Sequence, residues 1–116
     1  MVTHATSEQG LKPESVNLDE YYEAGTDQPP VLRGVASGRF VGHGLYDRLV
    51  FCGPTLKSNS RAFASICELD SSGKPFMGQA TMHVSNVIPL DDGNLEVVGH
   101  VQWNSNISLR LSVFWM

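Results

Sequence analysis

The chain has 116 residues, 41% of them hydrophobic, and a formal net charge of −4; that is one domain's worth, able to bury roughly two thirds of its unfolded surface. The acidity is uneven, because residues 1–30 hold one Lys against six acids whereas residues 31–116 hold seven basic groups against six acids. No clustered basic stripe appears, which argues against nucleic acid as the principal partner, and no apolar run approaches the roughly 18 residues of a membrane span.

The first residues, Met1-Val2-Thr3-His4, show neither the basic nor the apolar region of a secretory signal, so a cytoplasmic protein is expected. Gly10, Pro13, Gly25, Pro29 and Pro30 break up residues 1–30, and this acidic segment reads as a mostly disordered or docking N-terminal arm. Its one distinctive stretch is Leu18-Asp19-Glu20-Tyr21-Tyr22-Glu23. Two aromatics among acids suit a basic, apolar-lined groove on a partner; alternatively, the stretch folds back over a sheet edge of its own domain. Tyr21 and Tyr22 are therefore partner-binding candidates.

Residues 31–116 form a single all-β domain. Across 31–41, Leu32, Gly34, Ala36, Gly38 and Phe40 share one side of a strand. Small residues weaken a strand unless it bends or something approaches its backbone. A corner, a close contact or the floor of a ligand cavity would each explain them. Gly42-His43-Gly44 is a loop, and 45–52 is a strand with Leu45, Leu49 and Phe51 in phase. Residues 53–60 read as a polar connection, and 61–69 as a strand covered on both sides because both of its phases are partly apolar. The turn at 70–74 leads onward. Cys52 and Cys67 lack metal-type spacing and fall on separate strands, so two reduced, partly buried thiols are expected.

From Phe76 to Met116 the two-residue period is sustained. Phe76, Ala80, Met82, Val84 and Ile88 occupy even positions; Leu95, Val97, Val101 and Trp103, then Ile107, Leu109, Leu111, Val113 and Trp115, occupy odd ones. Alternation of this length predicts half-buried antiparallel strands. Asp91-Asp92-Gly93-Asn94 is strong turn chemistry, and Asn104-Ser105-Asn106 would close a second hairpin. One three-stranded meander then pairs Ile88 with Val97, Met82 with Trp103, and Trp103 with Ile107. Asn86 falls on the apolar face opposite Gly99, which calls for a bulge, a bend or a specific polar contact, and Pro89 belongs at an edge or turn. The fold class is all-β, about six antiparallel strands in a meander-rich β-sandwich or small barrel. Phe114 and Met116 point away from the core of this arrangement, which suggests a homo-oligomer.

The polar face of the meander carries Ser85, Ser108 and Ser112 together with His83, His100, Gln102 and Arg110, with His83 and His100 as diagonal neighbours and Arg110 beside His100. These residues are a candidate surface for a polar small molecule, a carbohydrate or an anionic group. A two-histidine metal site is disfavoured, since no third ligand is placed and a guanidinium would oppose a cation. His43, Tyr46, Asp47 and Arg48, beside the glycine-rich loop, are the other ligand-binding candidates, because a histidine near a carboxylate and a tyrosine can do acid–base work. No nucleophile elbow, P-loop or HExxH occurs. The sequence thus predicts a non-enzymatic, cofactor-free β module that binds a protein partner or ligand and self-associates. The alternatives are a small barrel cyclase, isomerase or carrier with a cavity floored by Gly34, Ala36 and Gly38, or a structural subunit of a larger assembly.

Overall fold

The computed structural model describes residues 31–116 together with Ser15 and Asn17; the rest of the N-terminal arm, including Tyr21 and Tyr22, lies outside the described residues. Among these residues there are seven strands and no helix: β1 Gly34–Gly42, β2 Gly44–Phe51, β3 Ala62–Leu69, β4 Pro75–Phe76, β5 Thr81–Pro89, β6 Asn94–Gln102 and β7 Ile107–Trp115. They form two antiparallel sheets, one in the order β1-β7-β3-β4 and the other in the order β2-β6-β5. β3 packs beside β5, so the first sheet curls toward the second on that side, while β1 and β2 touch on the opposite side without sharing a backbone ladder.

The odd phase of the last two long strands makes the core. Leu95, Val97 and Val101 of β6 face Leu109, Leu111, Val113 and Trp115 of β7 across the sandwich, and all are buried. Ala36 and Phe40 of β1, Ala62, Ala64 and Ile66 of β3, and Met82, Val84 and Val87 of β5 pack against them. Residues 53–60, read as polar, also supply Leu56, which is fully buried. Thr55 from the same segment accepts a hydrogen bond from the Trp115 indole N–H at 3.0 Å, so this connection closes one end of the core.

The meander ends one strand early. β5 and β6 do pair, and their turn has the expected chemistry: Gly93 takes φ 88° and Asp92 Oδ1 accepts the Asn94 N–H at 3.0 Å. β7, however, crosses to the other sheet and pairs with β1 and β3. Residues 104–106 are therefore a corner between sheets, Trp103 is 38% exposed and unpaired with Ile107, and β7 shares its inward phase with β6 because the two strands face each other across the core.

The β5–β6 register also differs. Met82 lies opposite Val101 and Ile88 opposite Glu96, with a shift between Val84 and Asn86. The bulge anticipated at Asn86 is there, and Pro89 sits on an edge strand. An extra residue reverses the phase of everything beyond it. Val87 turns inward instead of Ile88, which is left 38% exposed. Phe76, on two-residue β4, is 44% exposed. Expected double coverage of β3 fails at Phe63, 47% exposed, because its outer face has no further layer there. Cys52, just past the end of β2, and Cys67, on β3, are free thiols, and burial pushes the Cys52 thiol pKa up.

Candidate functional site

The glycines of β1 do not floor a chamber. Ala36 faces the packed core, a side chain at Gly34 would overlap the Trp115 indole, and the depression at Gly38 measures only about 80 Å³. Ligand sites usually occupy several hundred Å³.

The sequence-derived clusters separate in space. Tyr46 points inward, 5% exposed, and its hydroxyl crosses bare Gly99 to donate to the His83 carbonyl at 3.0 Å. Burial holds its pKa above the ordinary value, so it serves the core. Arg48 bridges from β2 to β1, with its guanidinium 4.6 Å from the centre of the Phe40 ring. His43 Nδ1 is 2.8 Å from Asn106 Oδ1, tying the two corners together. Asp47 emerges on the outer face of the β2-β6-β5 sheet beside Glu96, whose carboxyl pKa is raised by the hydrogen bond and charge of Asp47. These four candidates share no common site.

His83 and His100 are direct cross-strand partners, one step from the expected diagonal, with rings 6.0 Å apart. Gln102 is paired with Thr81, whose hydroxyl donates to it. Among the described residues no three His, Cys or carboxylate groups cluster as metal ligands. Arg110 is absent from this face: it sits on β7 in the opposite sheet, so the proposed His100–Arg110 contact does not form.

Where Arg110 does sit, the register assembles a surface the sequence does not announce. On the outer face of β1-β7-β3, residues align in rungs across three strands. Val35, Phe114 and Phe63 form one rung, Ser37, Ser112 and Ser65 the next, and Arg39, Arg110 and Cys67 a third. At the other end, backbone hydrogen bonds of Arg33 to Trp115 and of Arg61 to Met116 extend the pattern to Arg33, Met116 and Arg61. The order along the strands is thus cationic, apolar, hydroxyl, cationic, with about 6.6 Å between rungs and no carboxylate side chain on any of them.

The shape follows the chemistry. A trough of about 640 Å³ runs over the central rungs, lined by Val35, Ser37, Phe63, Ser65, Ser112 and Phe114. Phe63 and Phe114 stack at 4.7 Å with planes 13° apart, which fixes the trough floor. Beyond one end lies a polar hollow of about 640 Å³ bounded by Arg33, Thr55, Lys57, Asn59, Ser60, Arg61 and Met116. Beyond the other is a 320 Å³ cleft between Arg39, Ser108 and the turn at 70–73. Asp70 borders that cleft, but its Oδ1 accepts from Ser72 N, Ser72 Oγ and Lys74 N. These bonds, the Ser72 hydroxyl first, hold its pKa below the ordinary value. Among the described residues no ion pair engages Arg33, Arg39 or Arg110.

Arg110 and the C-terminal pair Phe114 and Met116 were legible as candidates; Arg39, Ser37, Ser65 and Phe63 were not, because only the β1-β7-β3 order makes them neighbours. No family model, curated protein or solved structure matches this chain.

Proposed function

We propose that this domain is a non-enzymatic binding module that lays an extended acidic peptide, with aromatic side chains, along the outer face of β1-β7-β3. The observation that carries this reading is the rung order: arginines bracket an apolar rung and a hydroxyl rung on one face. Four of the seven basic residues in 31–116 gather there. Like charges set directly opposite one another, as Arg39 and Arg110 are, destabilise a sheet. That cost is offset when an anion bridges them, and guanidinium forks match carboxylates well.

The rung spacing favours a peptide. Alternate side chains of an extended chain are about 6.6 Å apart, so acid, aromatic, hydroxyl and acid at every second residue meet successive rungs. Serine hydroxyls can donate or accept, and so serve either main-chain group of such a ligand. Nucleic acid fits poorly, because the cations lie at two ends with none between, whereas a phosphodiester track needs a continuous stripe.

The test is fluorescence anisotropy with a labelled peptide Asp-Ser-Tyr-Ser-Ser-Ser-Asp, whose alternate positions present acid, aromatic, hydroxyl and acid on one side, against the same peptide with Lys for Asp. The acidic peptide binds and the basic one does not, and binding weakens as salt is raised. Arg39→Gln and Arg110→Gln each weaken it about 2–5-fold, the range of exposed ion pairs. Equal affinity for both peptides, or indifference to both substitutions, overturns the reading.

A second reading, self-association, rests on β2. This edge strand exposes Leu45, Leu49 and Phe51 at 84%, 62% and 70% on the outer face of its sheet. A long apolar edge with free backbone groups is a template for another strand. Antiparallel pairing of β2 with β2 of a second copy satisfies both edges by two-fold symmetry. Sedimentation of the parent then gives a dimer, and Leu49→Lys returns it to monomer; a monomeric parent at high concentration rules the interface out.

A further inference from the structure

Ladder geometry sets Arg39 and Arg110 side by side at one end of the trough. Arg61 and Met116 exchange both backbone hydrogen bonds, so by the alternation of an antiparallel pair Cys67 and Arg110, further along the same two strands, do the same. The main-chain groups of Arg110 then point to β3. Its pairing with Arg39 on β1 is therefore the close, non-hydrogen-bonded kind, with Cα atoms about 4.5 Å apart. The Trp115 carbonyl, which accepts the Arg33 N–H, faces β1 as this alternation requires. We propose that the arginine pair is a phosphate seat, and that the peptide laid along β1-β7-β3 meets it with a phosphorylated side chain; this rests on the peptide-binding reading above and names the ligand class of that face.

Charge and room agree. Each guanidinium carries a full positive charge, and a single carboxylate neutralises only one of them. A phosphomonoester carries about two negative charges at neutral pH and three acceptor oxygens, enough to meet a fork from each arginine. Among the described residues neither Arg39 nor Arg110 has an ion pair or a side-chain hydrogen bond, and the third place on their rung is the short side chain of Cys67. The 320 Å³ cleft beside Arg39 admits a phosphoryl group, which is bulkier than a carboxylate, and Ser108 on its wall offers a hydroxyl donor. Asp70, the carboxylate bordering that cleft, is held in its own turn by Ser72 and Lys74. The opposite end of the trough differs. There Met116 stands between Arg33 and Arg61, Arg61 already has a partner, and Lys57 lies near Asp91, whose pKa the Ser58 amide lowers with help from the Lys57 charge. A phosphate gains less at that end, so the seat reads one end of the ligand.

The experiment uses the full chain and three labelled peptides. In Asp-Ser-Tyr-Ser-Ser-Ser-Asp the tyrosine follows the first acid on the presented side, so seating it on the Phe63–Phe114 rung brings the last acid to Arg39 and Arg110. Anisotropy compares this peptide with versions carrying phosphoserine for the last Asp or for the first. Phosphate at the last position tightens binding about fivefold, the upper end for one added exposed ion pair, and at the first position about twofold or less. Arg39→Gln and Arg110→Gln each abolish the last-position gain, so that either variant binds that phosphopeptide and the Asp peptide alike. Equal gains at the two ends, or a last-position gain that survives both substitutions, overturns the seat. An Asp peptide that binds as tightly as the last-position phosphopeptide also overturns it, while leaving the peptide-binding face intact. Failure of all three peptides to bind removes both readings. Inorganic phosphate that displaces the Asp peptide at the same concentration as unlabelled phosphopeptide assigns the arginine pair to a free anion and overturns the phosphorylated peptide.

Discussion

Gly99→Ala tests the internal geometry that sets the β2-β6-β5 sheet. Gly99 lies opposite Tyr46 on one side and Val84 on the other, and the Tyr46 hydroxyl passes directly over it to the His83 carbonyl. A methyl group there would overlap both that carbonyl oxygen and the Tyr46 hydroxyl. Because the carbonyl belongs to the β5 backbone, rotamer changes alone cannot clear it. Overpacking of this kind costs about 1–3 kcal/mol, and the displaced hydrogen bond adds about 1 kcal/mol. A loss of about 3 kcal/mol lowers Tm by about 10–20 °C for a domain of this size. Tyr46→Phe alone removes the hydrogen bond and loses about 1 kcal/mol. In the double variant the hydroxyl clash is gone but the backbone clash remains, so the pair loses about 1 kcal/mol less than the sum. Urea and thermal unfolding of the four proteins measure the cycle. A Gly99→Ala protein within 1 kcal/mol of the parent, or strict additivity, refutes the packing described for Tyr46.

Three other outcomes follow from the same coordinates. Thr55→Val keeps the shape but leaves the Trp115 N–H without its partner, and urea unfolding followed by tryptophan emission should register a loss of about 1–2 kcal/mol. Gly34→Ala drives a methyl into the Trp115 indole and lowers stability by about 1–3 kcal/mol, which differential scanning calorimetry reads as a lower Tm. Asp47→Asn acts through Glu96, whose folded pKa is raised above 4.5 chiefly by the Asp47 hydrogen bond. A raised folded pKa means the favourable protonated pairing is lost as pH climbs through it. The variant is therefore more stable than the parent at neutral pH, and thermal melts of the two converge below pH 4.5.

Local pattern recovered what local physics controls. The inward phase of β6 and β7 follows from alternation alone, and the turn at 91–94 from the preference of Gly and Asp for its backbone angles. The bulge near Asn86 announced itself as a polar residue in an apolar phase. Three features could not be read this way. β7 leaves the meander because β1 and β3 offer it partners 65 to 81 residues and 41 to 53 residues away in sequence, respectively, and no turn motif records such distant pairing. Leu56 is a single apolar residue in a polar stretch, with no period to mark it as core. The binding face is likewise a property of strand order. Arg110 and Phe114 could be singled out on their own strand, but Arg39, Ser37, Ser65 and Phe63 join them only after both neighbours of β7 are known.

The route of the chain between sheets carries a kinetic consequence. β1 lies in one sheet and β2 in the other, β3 and β4 return, β5 and β6 cross again, and β7 crosses back. Among the described residues, only β3–β4 and β5–β6 are pairings between successive strands. β7 lies between β1 and β3 in the larger sheet and follows both in the chain, so β1 and β3 have no ladder between them until it emerges from the ribosome. Nascent chains must hold both edges apart and unpaired during that interval, and folding then proceeds by closing long loops, in the slow milliseconds-to-seconds regime of non-local β proteins.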